Sequence, residues 1–146
     1  MPASAAARLY TPRILALAVE LAEAPLSDDL PLHGEARSRS CGSTLAMGVS
    51  LGERGAVERI GVQVTACAIG QAAAALFVRH AGGRDARQLA DDLAAMEAWV
   101  AGDGPQPTWP DIALLEPARA YPARHGAMLL PWKAASAALC KEAAES

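Results

Sequence analysis

Along residues 44–65, large apolar residues fall on every second position. Leu45, Met47, Val49 and Leu51 alternate with Thr44, Ala46, Gly48 and Ser50; Ile60, Val62 and Val64 alternate with Gly61, Gln63 and Thr65. A period of two predicts two half-buried strands. Gly52-Glu53-Arg54-Gly55 between them is a turn signal, so the pair reads as an antiparallel hairpin. Parity fixes its register. With Val49 opposite Ile60, Met47 opposite Val62 and Leu45 opposite Val64, every large apolar side chain lies on one face; a one-residue slip would expose one of the two sets. Upstream, Gly34 to Ser40 sets Glu35, Arg37 and Arg39 against Ala36 and Ser38, which suits a short, charged edge strand.

The remaining periodicities are helical. Thr11-Pro12 predicts an N-cap followed by proline at the first helical position, with Ile14, Leu17, Ala18 and Leu21 on one face and an end near Ala24-Pro25. Ser27 to His33 reads as a polar loop. Ala68 to His80 is a small-residue helix stopped by Gly82-Gly83. Asp85 and Gln88 form a capping-box pattern, opening a helix whose stripe is Leu89, Leu93, Met96 and Val100. A Gly/Pro loop covers 102–110, and a helical turn is expected over Ile112 to Leu115. Arg124 to Ala144 reads as a last helix with Met128, Trp132, Ala135 and Leu139 on one face. Pro131 conflicts with it, since an interior proline costs ~3 kcal/mol; the helix either kinks there or starts just before it. The order of elements predicts an α+β fold: an N-terminal helix, a three-stranded antiparallel sheet, then a C-terminal set of helices packed on it, as one domain over 1–146.

Composition narrows the class. The chain is 52% hydrophobic but 4% aromatic, so much of its apolar content is alanine, which predicts a tight, shallow core. A net charge of −3 with interspersed signs gives no footprint for nucleic acid. Three cysteines, an odd number, do not read as a secreted disulfide scaffold. Arg8, Arg13 and the run Ile14 to Val19 faintly resemble a signal peptide, but Glu20 cuts the run short and the spacing fits an amphipathic helix. No stretch reaches the ~18 apolar residues of a membrane span. The expectation is a reduced, cytoplasmic protein without nucleic-acid or membrane partners.

The hairpin register brings two distant cysteines towards one place. Counting outward from it puts Cys41 and Cys67 beyond the same end of the pair. Neighbouring strands lie ~4.8 Å apart, within reach of a shared metal or a reversible disulfide. Cys67 opens a helical run, and a helix N-terminus favours a thiolate. Against this stands the ordinary reading of both as small core residues. His125 is either a third ligand or a helix-end histidine bonded to backbone, and Cys140 reads as a plain helix cysteine. Arg37, Arg39 and Arg124 either surround the tip or form a solvated face. His33 reads as a loop residue, His80 as a helix-end residue, and Met96 and Trp99 as core. No phosphate loop or nucleophile elbow is present, and Ser43 has no nearby base to make it a nucleophile.

Four short motifs, in order, resemble the U-type iron–sulfur assembly scaffolds, the NifU N-terminal-domain and SufU-like proteins. They are Leu9-Tyr10, Arg39-Ser-Cys41-Gly42, Ala66-Cys67-Ala68-Ile69, and Tyr121-Pro122-Ala123-Arg124 followed by Trp132-Lys133-Ala134. The resemblance implies a carrier and not a turnover enzyme. Cys41 and Cys67 would accept sulfur or bind iron, a labile iron–sulfur cluster or zinc, and a cysteine desulfurase and cluster-accepting proteins would be the partners. His125 would be the third ligand, and the fourth would be Ser43, water or a partner. The chain departs from the family pattern at two ligands: the turn aspartate is Ser43, and the third cysteine falls on Ala127. Where some scaffolds set a histidine beside that cysteine, this chain has Gly126, with His125 shifted by one. These losses keep a second reading in play, a degenerate scaffold fold acting as a metal-free interaction protein. Thiol redox chemistry through a Cys41–Cys67 disulfide is a third.

Overall fold

The computed structural model describes residues 11–39 and 42–145, with side chains described through Cys140. Helix α1 spans Pro12–Glu20 and continues as a 3-10 turn, Leu21–Glu23. The Thr11 hydroxyl caps it by accepting from Ile14 N–H at 3.3 Å. Strands β1 (Leu32–Arg37), β2 (Thr44–Leu51) and β3 (Val57–Thr65) form an antiparallel sheet in the order β1-β2-β3. Helices α2 (Ala68–His80) and α3 (Ala86–Ala101), a 3-10 segment Ile112–Ala120 and α4 (His125–Glu145) complete the chain.

The hairpin register is the one parity demands: Leu45 faces Val64, Met47 faces Val62 and Val49 faces Ile60. The turn closes with Arg54 and Gly55 at positive φ and an irregularity between Ser50 and Leu51. The capping box between Asp85 and Gln88 is formed in both directions, at 2.8 and 2.9 Å. Gly102, left-handed, ends α3.

Three expectations need correction. β1 begins at Leu32 and ends at Arg37, so His33 is a strand residue and Arg39 lies beyond the strand. The loop expected over Ser27 to His33 gives way to β1 at Leu32, and the chain leading into it is tied to the sheet. Val62 N–H donates to Ala24 O (2.9 Å) and Leu26 N–H to Val62 O (3.1 Å), and Leu30 is buried. Here β3's edge recruits irregular chain to satisfy its backbone groups, a tertiary effect invisible to local pattern. Finally, α4 starts at His125 and runs through Pro131, so a start just before the proline is wrong. Its neighbours Leu129, Leu130 and Trp132 are all buried, and that packing offsets the lost backbone bond.

α4 lies close on β1 because Gly34 has no side chain: a Cβ there would collide with Ala134 O and sit 2.5 Å from Ala138 N. Few as they are, the larger aromatics make the core deeper than alanine content implies. Phe77 and all three tryptophans are buried. Phe77 stacks on Trp109 at 5.3 Å and both meet Trp132 edge-on. Trp109 Nε1–H is satisfied by Leu76 O at 3.0 Å, and the Arg84 guanidinium covers its ring at 4.4 Å.

At the C-terminal end of α2, Arg79 pairs with Glu20 and with Asp111 (3.3 Å), and His80 Nε2–H donates to Asp111 (3.1 Å). The His80 hydrogen bond, then that from Arg79, holds the Asp111 carboxyl below its ordinary range. A depressed native value means that the stabilisation is complete above the unfolded value of ~3.9 and is lost as pH falls through the lower native one. Asp111→Asn keeps a residue tolerant of the positive φ of 64°. It is expected to melt slightly lower than the parent at pH 7, with the two melting curves converging in thermal scans taken down to about pH 2.5.

Candidate functional site at the sheet tip

The last rung of the sheet is Arg37–Thr44–Thr65. Just beyond it, Ser38 N–H donates to Ser43 O at 2.7 Å, and Gly42 N–H donates to Ser38 O at 3.0 Å. Gly42 has a φ of 70°, which only glycine adopts at little cost. Ser38 and Ser43 are both buried and make further interactions. Ser43 is thus engaged within the protein where the resembled family has an aspartate. Cys41 lies outside the described residues, as does the Leu9-Tyr10 motif, so the expected approach of the Cys41 and Cys67 sulfurs stays an expectation from register.

Cys67 is the N-cap of α2, with extended backbone (φ −64°, ψ 170°) and no capping hydrogen bond from its side chain. It is a free, partly exposed thiol. Its carbonyl accepts from Gln71 N–H at 3.0 Å, while Gln71 Nε2–H reaches Ala66 O at 2.9 Å, so backbone on both sides of the sulfur is clamped. The first-turn N–H groups of a helix have no intrahelical acceptor and favour negative charge beside them.

The start of α4 packs into the same corner. A Cβ on Gly126 would strike Ser38 Oγ and sit 3.0 Å from its Cβ; a Cβ on Gly70 would lie 3.5 Å from that of Ala127. Ala127 is fully buried. The place of the third thiol is therefore a methyl group packed against the first turn of α2. A side chain on Gly126 would have to displace the Ser38 hydroxyl and press on its Cβ.

His125 follows its backbone-bonded reading: Nε2–H donates to Arg119 O at 2.7 Å. Arg119 is itself held, donating Nε–H to Trp99 O at 3.0 Å with its guanidinium 5.1 Å from the Trp99 ring. That bond fixes the proton on Nε2 in the neutral ring and leaves Nδ1 with its lone pair. Sequence reasoning missed Arg119, because nothing local signals that its carbonyl orients a ring six positions on. Arg37 stands on the outer sheet face and is exposed, as is Arg39. Cys140 is exposed next to Leu139, which lines a cavity with Leu51, Arg54 and Gly55 at the turn end of the hairpin, away from the tip. Among the described residues no three His, Cys, Asp or Glu side chains converge as a metal cluster.

No protein-family model matches the sequence, and no curated protein does. Solved structures do. The crystal structure of a nitrogen-fixing NifU-like protein (N-terminal) from Brucella abortus superposes with a TM-score of 0.85 at 28% identity, covering 98% of this chain and 100% of that one. The chain has the U-type scaffold fold. A putative iron–sulfur cluster assembly scaffold protein for the SUF system from Fervidobacterium islandicum gives a TM-score of 0.78 at 18% identity, over 91% of this chain and 98% of that one. A hypothetical protein matches at 0.65 and 17% identity, over 88% and 97%. The U-type fold accounts for the order of helix, three strands and helices, and for the meeting of the β2, α2 and α4 starts at one corner. In the described residues that corner holds the Cys67 thiol, while the His125 ring is bonded to Arg119 O. The described helices include none long and apolar enough to cross a membrane.

Proposed function

We propose that this chain serves iron–sulfur cluster assembly as a carrier of U-type fold, holding iron, zinc or a labile cluster as cargo at Cys67 and Cys41. The observation that carries the reading is Cys67 itself. It is an unpaired thiol at the N-cap of α2, in a fold shared over 98% of the chain with a NifU-like domain. Two thiols with the Nδ1 of His125 make a soft and borderline donor set of the kind zinc and iron take. Such a set is short of the usual four, so cargo is held weakly and passed on, with a partner or water supplying the rest. In the same reading Cys67 takes sulfur from a desulfurase: its sulfur attacks the terminal sulfur of a partner's persulfide, giving up its proton, the S–S bond breaks, and the partner's thiolate leaves.

Metal analysis of protein purified without oxygen, followed by zinc and ferrous-iron titration, tests the reading. Cys67→Ser and Cys41→Ser are each expected to abolish uptake, and Cys140→Ser to leave it unchanged. The buried methyl at Ala127 favours a second reading, a metal-free interaction protein of the same pathway. Wild-type protein that takes up neither metal would decide for that one.

A further inference from the structure

Among the described residues, the outer face of the sheet is covered at one end and bare at the other. The rung His33–Gly48–Gly61 lies beneath Leu26 and Leu30; a Cβ on Gly48 would sit 2.9 Å from Leu30 Cβ, and one on Gly61 would strike Pro25 O. His33 Nε2–H donates to Leu30 O at 2.6 Å and ties this cover down. The next two rungs towards the tip are Glu35–Ala46–Gln63 and Arg37–Thr44–Thr65. They line a groove of about 510 Å³, with nothing over them among the described residues. Ala46, the smallest residue of the two rungs, keeps its floor low, and the open end faces the tip.

Glu35 and Arg37 stand one on each rung, both outward, since alternate strand residues share a face. Both are exposed, and neither has an ion-pair or hydrogen-bond partner among the described residues. Two strand positions separate them, ~6.7 Å along the backbone, and their long side chains can converge over the groove. A ligand that is only an anion would meet Glu35, and one that is only a cation would meet Arg37. A small molecule carrying both charges on one carbon satisfies both with charge-assisted hydrogen bonds. Thr44, Thr65 and Gln63 add neutral donors and acceptors.

We propose that this groove binds a small free α-amino acid as its zwitterion, carboxylate on Arg37 and ammonium on Glu35. The low floor at Ala46 leaves room for the ligand's side chain between the two rungs. The site needs no metal and no thiol, so it stands or falls independently of the cargo reading. Affinity in the millimolar range is expected, because both charges are solvated in the free protein.

The test is a titration of Cys67→Ser protein with L-alanine, followed by backbone amide NMR shifts, with N-acetyl-L-alanine and ethylamine as half-ligands. Saturable shifts confined to Ala46, Gln63, Thr65 and their neighbours are expected with alanine. Each half-ligand is expected to bind at least tenfold more weakly. Glu35→Gln and Arg37→Gln, both exposed and harmless to the fold, should each weaken alanine at least tenfold, and Ala46→Leu should fill the groove and abolish the shifts. Absence of a saturable shift overturns the proposal. So does binding of a half-ligand as tightly as alanine, or indifference to both charge variants.

Discussion

Gly34→Ala is expected to destabilise the chain by more than ~3 kcal/mol, at or beyond the upper end of ordinary overpacking. One methyl suffices because it has no soft neighbour to displace. It would meet Ala134 O and Ala138 N, which belong to the α4 backbone, and sit 3.0 Å from Ala138 Cα. Relief requires moving α4 from β1, and α4 contributes Leu130, Trp132, Ala135 and Leu139 to the core. At ~2–4 °C per kcal/mol for a domain near this size, the melting point should fall by on the order of 10 °C. Gly82→Ala is the matched control. A Cβ there meets nothing within 4 Å and its φ is not left-handed, so a gain of about 0.4–1 kcal/mol is expected from the restricted unfolded chain. Denaturant unfolding of both variants reads the difference. A Gly34→Ala protein within ~0.5 kcal/mol of the parent, the scatter of a harmless surface change, would falsify the close α4–β1 contact. Because His125, Gly126 and Ala127 open the same helix, loosening it also disorders the tip, and cargo uptake should fall with stability.

The strands were legible because each exposes one face. A strict alternation admits only one register, and Leu45–Val64, Met47–Val62 and Val49–Ile60 follow from it. Capping chemistry was equally local: Thr11, Asp85 and Gly102 act through atoms within a few residues of themselves. What pattern alone could not give were contacts between distant segments. The cover of Leu26 and Leu30 over Gly48 and Gly61 depends on a backbone pairing of 24–26 with Val62. Pro131 reads as a helix breaker until its buried neighbours are counted. At the site, the hairpin register led to Cys67 and the resemblance to the scaffolds led to Ala127; the structure sets Cys67 at the N-cap of α2 and Ala127 against the first turn of that helix. It left His125 open between two readings, since the deciding bond goes to a carbonyl in a 3-10 segment with no strong local signal.

Ser43→Asp with Ala127→Cys is expected to convert a weak site into a stoichiometric zinc site. Ala127 already packs against the first turn of α2, its Cβ 3.5 Å from where a side chain on Gly70 would begin. A sulfur added there lies beside the helix that Cys67 caps. The carboxylate introduced in place of the Ser43 hydroxyl would add an oxygen donor at the end of the loop held by Ser38 N–H. With Cys67 and Cys41 the set reaches three thiolates and a carboxylate, and complete structural zinc sites are worth on the order of 10 kcal/mol. The metal-free double variant should be somewhat less stable than the parent, because both changes enlarge buried positions. Zinc at ~100 times the dissociation constant then adds ~2.7 kcal/mol by mass action, or roughly 5–10 °C in melting point. Thermal scans with and without zinc, beside metal analysis, read both effects. Adding Cys67→Ser to the double variant should remove the zinc-dependent shift. A variant that folds, keeps its thiols reduced and still binds no zinc would mean that the backbone at the tip has left ligand geometry, and the chain would then be better read as an interaction protein on a scaffold fold.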